Sequence, residues 1–161
     1  MIFSIIIPVY NEEKTILLLL NELNKLQFTT FKKEIIVVDD GSTDNTKKIL
    51  DENKDLFNKL LSNNSNQGKG SAVKEGLKKS TGEYIVIQDA DLEYDPKDLL
   101  KFEEIFNKFN ADGIIGSRFN YDKYTRSHSI LNKIGNYLLT FIFNILYNTT
   151  FTDVYSCYFA F

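Results

Sequence analysis

The sequence predicts an α/β fold in which helices flank one mostly parallel β-sheet. Strand-like apolar runs alternate with helix-like segments along the 161 residues, as they do in doubly wound folds. The run 34–39 is apolar almost throughout, which is typical of a parallel strand buried on both faces. Polar motifs follow several of the runs, at the edge of the sheet where such folds bind ligands.

The predicted elements follow one another in chain order. The first strand, 3–9, is apolar with Pro8 near its end, and the helix 12–26 has an apolar stripe at helical spacing. The second strand ends at 39, and the capping residues 42–44 begin a helix that runs to 60. The same signals predict a helix at 68–79, a strand at 83–88, a helix at 96–109, a short strand at 111–116 and a helix at 129–147.

Composition indicates one globular domain over 1–161, with 43% hydrophobic and 25% charged residues. The net charge of −3 gives a nucleic-acid partner no electrostatic support. Cys157 is the single cysteine, which excludes an internal disulfide and fits a reducing compartment. We therefore expect a cytoplasmic protein.

The C-terminal third contains an apolar helix and a terminal aromatic run, and both bear on what the domain contacts. The apolar helix 134–147 is shorter than the roughly 18 residues that a membrane span needs. We predict that it lies in the core or at a domain interface, with a membrane-surface role as the alternative. The sequence ends in the aromatic run 155–161, whose residues favour burial. We therefore expect the domain to be truncated here and to continue beyond Phe161.

The first polar motif, at the end of the first strand, is Pro8-Val9-Tyr10-Asn11-Glu12. Tyr10 is placed to cover a nucleobase, and Glu12 to accept hydrogen bonds from a ribose. A strand-to-helix turn, with Glu12 favouring the helix N-terminus, explains the same residues. Taken alone, the motif favours the turn.

The second motif joins Asp39 and Asp40 to Gly41 at the end of the second strand. Two adjacent carboxylates at a buried strand end repel each other and lose hydration, and this cost needs compensation. A nucleobase N–H group or ribose hydroxyls would compensate for it. A capping turn in which Gly41 supplies an unusual φ angle explains one acid comfortably, so both interpretations stay open.

The third motif, Gly68-Lys69-Gly70, enters a helix. Glycines allow an anion to approach the backbone closely, and the helix N-terminus supplies N–H donors. Lys69 adds a point charge that suits phosphate. A flexible loop is the commoner explanation of two glycines, so this motif is weak evidence by itself.

The fourth motif, Asp89-Ala90-Asp91, follows an apolar strand and carries the strongest signal. Residues i and i+2 of an extended segment face the same way, so we predict that Asp89 and Asp91 present their carboxylates together. The small Ala90 between them lets a ligand approach. Two hard oxygen ligands with open coordination positions suit Mg²⁺ or Mn²⁺ bridging a diphosphate. Without a metal, these acids would form a solvated turn.

In order and spacing these motifs resemble those of the family-2 glycosyltransferases, specifically the dolichyl-phosphate mannose synthase and glucosyltransferase-like group. The matching segments span nearly the whole chain: 4–12, 37–44, 68–70, 81–84, 89–96, 116–118 and 152–158. The resemblance implies a GT-A (Rossmann-like) fold and a metal-dependent, inverting transfer of a hexose from a UDP- or GDP-sugar. It also implies a polyprenyl-phosphate acceptor, and with it peripheral contact at the cytoplasmic face of a membrane.

The resemblance also assigns roles to single residues. The nucleoside pocket takes Pro8, Tyr10, Glu12 and Asp40, supported by Asp39. The diphosphate and metal site takes Lys69, Asp89, Ala90 and Asp91. The residues expected to act in catalysis are Asp91 and Arg118, which faces the phosphates across the cleft. Because the basic segment after Arg118 is hard to register, Arg118 and Arg126 are both candidates for binding the acceptor phosphate.

Two other functions fit parts of the sequence. A transferase to a sugar hydroxyl needs a general base, for which Asp153 is the candidate, whereas a phosphate acceptor is already anionic and needs cations. The basic residues after 116 favour the phosphate: Arg118, Lys123, Arg126 and Lys133. A non-catalytic nucleotide-sugar-binding module is the alternative from another class.

Overall fold

A computed structural model describes residues 1–109, 111–116, 130–154, 156 and 158–161, with the backbone alone at 130–133. Its elements are, in chain order, β1 (Ile2–Val9), α1 (Ile16–Lys25), β2 (Lys32–Asp39), α2 (Thr46–Glu52), β3 (Lys59–Ser62), α3 (Lys69–Lys79), β4 (Tyr84–Ile87), α4 (Leu99–Phe109), β5 (Ile114–Ile115), α5 (Ile130–Tyr147) and β6 (Phe159–Ala160). Short 3₁₀ turns lie at Lys54–Leu56 and Pro96–Asp98.

The strands of the described residues form one sheet in the order β3-β2-β1-β4-β6-β5. β1 pairs in parallel with β2 and β4, and β2 pairs in parallel with β3. β6 runs antiparallel to its two neighbours, β4 and β5. The predicted α/β architecture with a mostly parallel sheet is therefore confirmed.

The core lies on both faces of β1, because alternate strand residues point to opposite faces. Ile5 and Ile7 belong to a buried cluster with the apolar stripe of α1, and Ile6 belongs to a second cluster with Ala72 of α3. All three isoleucines are fully buried. Packing from both sides fixes the carboxyl ends of the central strands, where the polar motifs lie.

One predicted helix end is wrong, and two strands were missed. The helix predicted to reach residue 60 ends at Glu52, and β3 follows it as an edge strand. Asn58, directly before β3, joins the strand to β2, since its N–H donates to the Ile35 carbonyl at 2.9 Å and its side-chain oxygen accepts from Ile35 N at 2.7 Å. β6, which was not predicted, gives the aromatic run burial through Tyr158 and Ala160.

α5 is wrong as a core helix, because its described apolar side chains do not form a core, whereas the domain interface and the membrane-surface role stay predictions. The large apolar side chains exposed on its described part are Ile134, Tyr137, Leu138, Leu139, Phe141, Ile142, Ile145, Leu146 and Tyr147. The buried residues of this helix are instead polar, namely Asn136 and Thr140. None of the helices in the described ranges has the length and hydropathy that a membrane crossing needs.

Candidate functional site

Hydrogen bonds cross-link the loops that follow β1 and β2. Asn11 has a φ of +55°, and its side-chain oxygen accepts from Thr43 N at 2.8 Å while its own N–H donates to Ser42 Oγ at 3.0 Å. Glu12 N donates to Thr46 Oγ1 at 2.8 Å. These contacts hold the first two motifs together at the carboxyl edge of the sheet.

Of the three predicted capping residues 42–44, Asp44 reaches the start of α2, although the N-cap itself is Asn45. Its Oδ1 accepts from Thr46 N at 2.9 Å. Burial raises the pKa of the Asp44 carboxyl, but hydrogen bonds from Thr46 and from the N–H of Glu13 outweigh this effect and lower the pKa. The carboxylate therefore stays charged at the helix N-terminus, where a negative charge is favourable.

Of the residues assigned to the nucleoside in the first motif, Tyr10 is exposed and Pro8 is half-buried in β1. The Glu12 carboxylate accepts from Thr15 Oγ1 at 2.5 Å, within the turn that begins α1. This contact supports the turn interpretation of Glu12. The contacts of these three residues with a nucleoside stay predictions.

The adjacent carboxylates of Asp39 and Asp40 are both buried. Asp39 Oδ1 accepts from Ser42 N at 3.1 Å. Asp40 accepts from three donors: Asn63 Nδ2 at 2.7 Å, Gln67 N at 3.1 Å and Gly68 N at 2.7 Å. Donors of the chain itself therefore compensate for the burial of both acids, which supports the capping interpretation. Contact of Asp39 or Asp40 with a nucleoside stays a prediction.

Asp40 and Gly41 fix the loop that leads into α3. Gly41 has a φ of +72°, and a Cβ there would lie 2.6 Å from the carbonyl carbon of Ser65, so the loop packs directly on the end of β2. Gly68, whose N–H binds Asp40, is the N-cap of α3 at a φ of +90°. Asp40 therefore determines where α3 begins and where Lys69, its first residue, stands.

An ion pair connects the third and fourth motifs. Lys69 Nζ lies 2.6 Å from Asp89 Oδ1, and the two side chains are 50% and 17% exposed. α3 and the segment after β4 thus meet at the carboxyl edge, as the topology predicted. A cationic group therefore already sits on the first carboxylate of the predicted metal motif.

Asp91 does not share an extended segment with Asp89. β4 ends at Ile87, and Ala90 and Asp91 lie in a turn in which Asp91 Oδ1 accepts from Glu93 N at 2.9 Å. Strand alternation therefore does not place Asp89 and Asp91 on one side, although both acids follow β4. Asp91 is exposed, whereas Ala90 is buried in the core.

Sequence analysis assigned no role to Gln88, which is fully buried. Its Nε2 donates to the Asp89 carbonyl at 3.2 Å, and its Oε1 accepts from Tyr158 OH at 3.0 Å. The Tyr158 ring stacks on Tyr94, with centroids 4.7 Å apart. Gln88 therefore ties the Asp89 segment to the chain before β6. A glutamine directly after an apolar strand was a detectable signal, because a buried amide needs partners.

A cavity of about 340 Å³ lies beside the ion pair. Its lining residues are Lys69, Val73, Ile87, Ile115, Val154, Ser156 and Phe159. Among the described lining residues, apolar walls next to the ammonium of Lys69 suit a ligand that has both apolar and anionic parts. A larger groove of about 550 Å³ lies between residues 27–29 and α4 and contains none of the motif residues, so the chemistry favours the smaller cavity.

Asp153, the candidate base, is buried next to a residue of this cavity. Its Oδ1 accepts from Asn136 Nδ2 of α5 at 3.0 Å. Arg118, Lys123, Arg126 and Cys157 lie outside the described residues. The phosphate-binding roles of Arg118 and Arg126 therefore stay predictions.

The chemistry of the two acids after β4 fits a divalent metal ion. In the described part of the chain, no group of three or more His, Cys, Asp or Glu side chains could hold a metal. Asp89 and Asp91 nevertheless supply the hard oxygen ligands that Mg²⁺ and Mn²⁺ prefer, and Asp89 already balances a positive charge. Phosphate oxygens of a ligand would complete the coordination.

Comparison with known proteins places these features in a family context. The family model described as glycosyl transferase family 2 matches residues 4–161. The chain is 35% identical over 153 residues to an uncharacterized protein of Methanocaldococcus jannaschii. It is 34% identical over 166 residues to UDP-N-acetylglucosamine–dolichyl-phosphate N-acetylglucosaminyltransferase of Methanococcus voltae. These alignments cover 91% and 92% of this chain, and the chain spans 64% of the length of each relative.

Two solved structures share the arrangement of strands and helices. S. aureus TarS 1-349 in complex with UDP-GlcNAc superposes with a TM-score of 0.65 at 30% identity, over 81% of this chain and 38% of that one. The mannosyltransferase PcManGT from Pyrobaculum calidifontis, in complex with GDP-Man and Mn²⁺, superposes with a TM-score of 0.61 at 27% identity, over 72% and 35%. The GT-A fold that the sequence resemblance implied is therefore confirmed.

Proposed function

The chain belongs to glycosyl transferase family 2, and we propose that it is the catalytic domain of an inverting glycosyltransferase. In this proposal it transfers a hexose from a nucleotide-diphosphate sugar to a polyprenyl phosphate. The name of the M. voltae relative, which pairs UDP-N-acetylglucosamine with dolichyl phosphate, supports both substrate classes. The nucleotide sugars bound to TarS and to the mannosyltransferase support a UDP- or GDP-linked donor.

The ion pair between Lys69 and Asp89, next to the exposed Asp91, carries this proposal. In our proposal Asp89 and Asp91 hold Mg²⁺ or Mn²⁺, and the Mn²⁺ of the mannosyltransferase complex supports this choice. The cation, when bound, offsets the negative charge that develops on the departing diphosphate. Lys69 exchanges its carboxylate partner for a phosphate oxygen, because α3 places its ammonium at the same edge.

The described contacts support a phosphate acceptor over a sugar hydroxyl. A hydroxyl needs a base that reaches its proton, but Asp153 is buried and accepts a hydrogen bond from Asn136. A phosphate needs cations instead, and we propose that Lys69, Arg118 and Arg126 supply them. Apolar walls beside Lys69 suit the first carbons of a polyprenyl chain, and a lipid acceptor implies contact with a membrane surface.

Asp91→Asn tests the donor site most directly. We expect this substitution to weaken binding of the nucleotide-diphosphate sugar about a hundredfold in Mn²⁺, since outer ligands of metal sites alone contribute about 10- to 100-fold. Calorimetry with UDP- and GDP-sugars, with and without Mn²⁺, measures the loss and also identifies the base. The thermal midpoint should not change, because the Asp91 side chain is exposed.

Asp95→Asn is the matched control, because Asp95 lies in the same acidic turn but caps the following 3₁₀ turn by accepting from Lys97 N at 3.0 Å. It should leave affinity in Mn²⁺ unchanged. Equal affinity of wild type and Asp91→Asn for the diphosphate sugar, in Mn²⁺ and in chelator alike, would show that the proposed metal site is wrong.

A further inference from the structure

The acidic turn 89–95, which carries Asp89 and Asp91, is not fixed by a strand or a helix of its own. β4 ends at Ile87, and the next regular element is the 3₁₀ turn Pro96–Asp98. Within the acidic turn, Leu92 has a φ of +61°, a conformation that residues other than glycine rarely adopt. Such a backbone persists where the surrounding structure determines it. Contacts with the rest of the chain must therefore hold the two acids in place.

One residue, Tyr158, contacts both ends of the acidic turn. Its hydroxyl donates to Oε1 of Gln88, directly before the turn, at 3.0 Å. Its ring stacks on the ring of Tyr94, near the end of the turn, with centroids 4.7 Å apart. Tyr158 is buried, and Gln88 is buried completely. Tyr158 therefore joins the two ends of the turn from within the core.

Gln88 extends the contact of Tyr158 to the first acid of the turn. A buried side-chain amide needs partners for its oxygen and for its nitrogen. The oxygen accepts from Tyr158, and Nε2 donates to the Asp89 carbonyl at 3.2 Å. The backbone of Gln88 is fixed as well, because its N–H donates to the Ile6 carbonyl of β1 at 2.9 Å. The hydroxyl thus orients the amide that holds the peptide group after Asp89.

Tyr158 is itself held by the packed part of the molecule. Its ring lies 5.0 Å from that of Phe102 on α4, and its carbonyl accepts from Gly116 N at 2.8 Å. Ser156 and Phe159, on either side of it in the chain, line the cavity beside Lys69. Tyr158 can therefore fix the acidic turn relative to the core and to that cavity.

We propose that Tyr158 is a positioning residue for the acidic turn. Acting through Gln88 and Tyr94, it holds Asp89 and Asp91 where both can bind one divalent metal ion. This inference rests on the proposed function, because it takes these two acids as the metal ligands. A phenylalanine would fill the same space in the core, so the hydroxyl is the feature that packing alone does not require.

Tyr158→Phe tests the role of the hydroxyl, because it keeps the ring that stacks on Tyr94. We expect binding of UDP or GDP in Mn²⁺ to weaken about tenfold, as for other residues that orient metal ligands. Binding of the same nucleotide in chelator should match the wild type, and calorimetry measures both affinities. In the metal-free protein, the amide NMR signal of Glu93 should shift, since its N–H donates to Asp91 Oδ1 within the turn.

The double substitution Gln88→Met and Tyr158→Phe separates positioning from packing. It replaces both polar partners by apolar groups, so it should recover most of the thermal midpoint that Tyr158→Phe alone loses. It should not recover affinity in Mn²⁺, because the Asp89 carbonyl still lacks the Gln88 donor. Tyr84→Phe is the matched control at the other end of β4, where the Tyr84 ring stacks on Phe106 at 3.9 Å. It should change neither the thermal midpoint nor the affinity.

Wild-type affinity of Tyr158→Phe in Mn²⁺ would overturn the inference. A loss of affinity that is equal in Mn²⁺ and in chelator would also overturn it, as would a double variant that recovers affinity together with the thermal midpoint. In either case Tyr158 would only pack the core, and the proposed function would stand. A wild-type chain that binds neither UDP nor GDP in Mn²⁺ would instead refute the proposed function, and this inference with it.

Discussion

The amino and carboxyl edges of the sheet both carry acidic side chains, but different partners satisfy them. At the amino edge, Glu34 is buried and accepts from Ser4 Oγ at 2.5 Å, Lys59 Nζ at 2.8 Å, and the N–H and hydroxyl of Thr81 at 2.9 Å. Glu103 is also buried there and accepts from three successive backbone N–H groups of residues 29–31. These acids join β1, β2, β3 and α4.

At the carboxyl edge, the acids after β4 have fewer partners, and those partners are accessible. Asp89 pairs with a lysine whose side chain is half exposed, and Asp91 is itself exposed. A carboxylate enclosed by donors of its own chain stabilises the fold, whereas one held by a half-exposed cation can exchange that partner for a ligand. The difference indicates that burial together with the number of internal donors separates structural acids from functional ones.

Glu34→Gln should have the largest effect on stability at either edge. Burial raises the pKa of the Glu34 carboxyl, but hydrogen bonds from Lys59, Ser4 and Thr81 outweigh it and hold the pKa at about 2, against an ordinary value of 4.5. Removing that charge should lower the free energy of unfolding by about 3 kcal/mol, as the difference in pKa implies. Urea denaturation measures the loss.

Glu22→Gln provides the comparison for Glu34. Glu22 pairs with Lys25 at 2.7 Å on the exposed side of α1, and such surface pairs contribute little. We expect Glu22→Gln to change the free energy of unfolding far less than Glu34→Gln does. Similar losses for Glu22→Gln and Glu34→Gln would remove the distinction that we draw between enclosed and accessible acids.

The dependence of stability on pH should show the same distinction. The folded-state pKa of Glu34 lies below its unfolded value of 4.5, so its contribution is complete above pH 4.5 and is lost as the pH falls towards about 2. Between these values the wild type should lose up to about 3 kcal/mol more than Glu34→Gln. In the variant, the free energy of unfolding should still fall at low pH because of Glu103. Burial raises the pKa of the Glu103 carboxyl, but hydrogen bonds from backbone N–H groups outweigh this effect and lower the pKa. Parallel curves for the two proteins would contradict this role of Glu34.

Asp40 is the exception to the difference between the two edges. It lies at the carboxyl edge, but donors of its own chain enclose its carboxylate as they enclose those of the amino edge. Asp40→Ala should lower both the free energy of unfolding and nucleotide affinity by roughly 1–3 kcal/mol each, since hydrogen-bond donors lose a buried acceptor. Calorimetry with UMP and GMP isolates the nucleoside contact, because these ligands lack the diphosphate. If monophosphate affinity were unchanged, Asp40 would be reassigned to holding the start of α3.

The sequence predicted the parts of this molecule that depend on local patterns. The apolar runs of β1 and β2 and the stripe of α1 have clear periodicities, and the motifs at their ends converge because parallel strands share one edge. β3 was missed because its residues were assigned to the end of the preceding helix, and β6 because it lies inside the aromatic run 155–161, which indicates burial but not a strand. The orientation of α5 was missed because composition shows how many apolar residues a helix has, but not whether its few polar residues find partners inside.

At the level of the site, the partners of the acids could not be predicted. Asp40 binds Gln67 and Gly68, which are distant in sequence, and only the positive φ of Gly41 lets that loop approach. The pairing of Asp89 with Lys69 follows from the same loop. Sequence reasoning therefore identified the charged residues of the site, but not which of them the fold already satisfies.

Lys69→Met should have the smallest effect on stability. It should also separate the role of Asp89 as the partner of Lys69 from its proposed role as a metal ligand. Because the pair is half exposed on the lysine side, its loss should change the free energy of unfolding by less than about 1 kcal/mol. Without the ammonium, Asp89 no longer has a competing cation next to it. We therefore expect Mn²⁺ alone to bind a few times more tightly, while the diphosphate sugar binds more weakly because it loses a phosphate contact.

Electron paramagnetic resonance of free Mn²⁺ measures the first change and calorimetry with the diphosphate sugar the second. Lys78→Met is the control, since Lys78 pairs with Glu75 at 2.7 Å further along α3 and lies in no motif. It should change neither affinity. Tighter binding of Mn²⁺ together with weaker binding of the diphosphate sugar in Lys69→Met would show that Lys69 is an exchangeable partner of Asp89. A lysine that merely attracts anions would weaken binding of the sugar alone. A uniform loss of both affinities would instead mean that Lys69 stabilises the Asp89 segment, and the carboxyl-edge pair would then be structural, like that of Glu34.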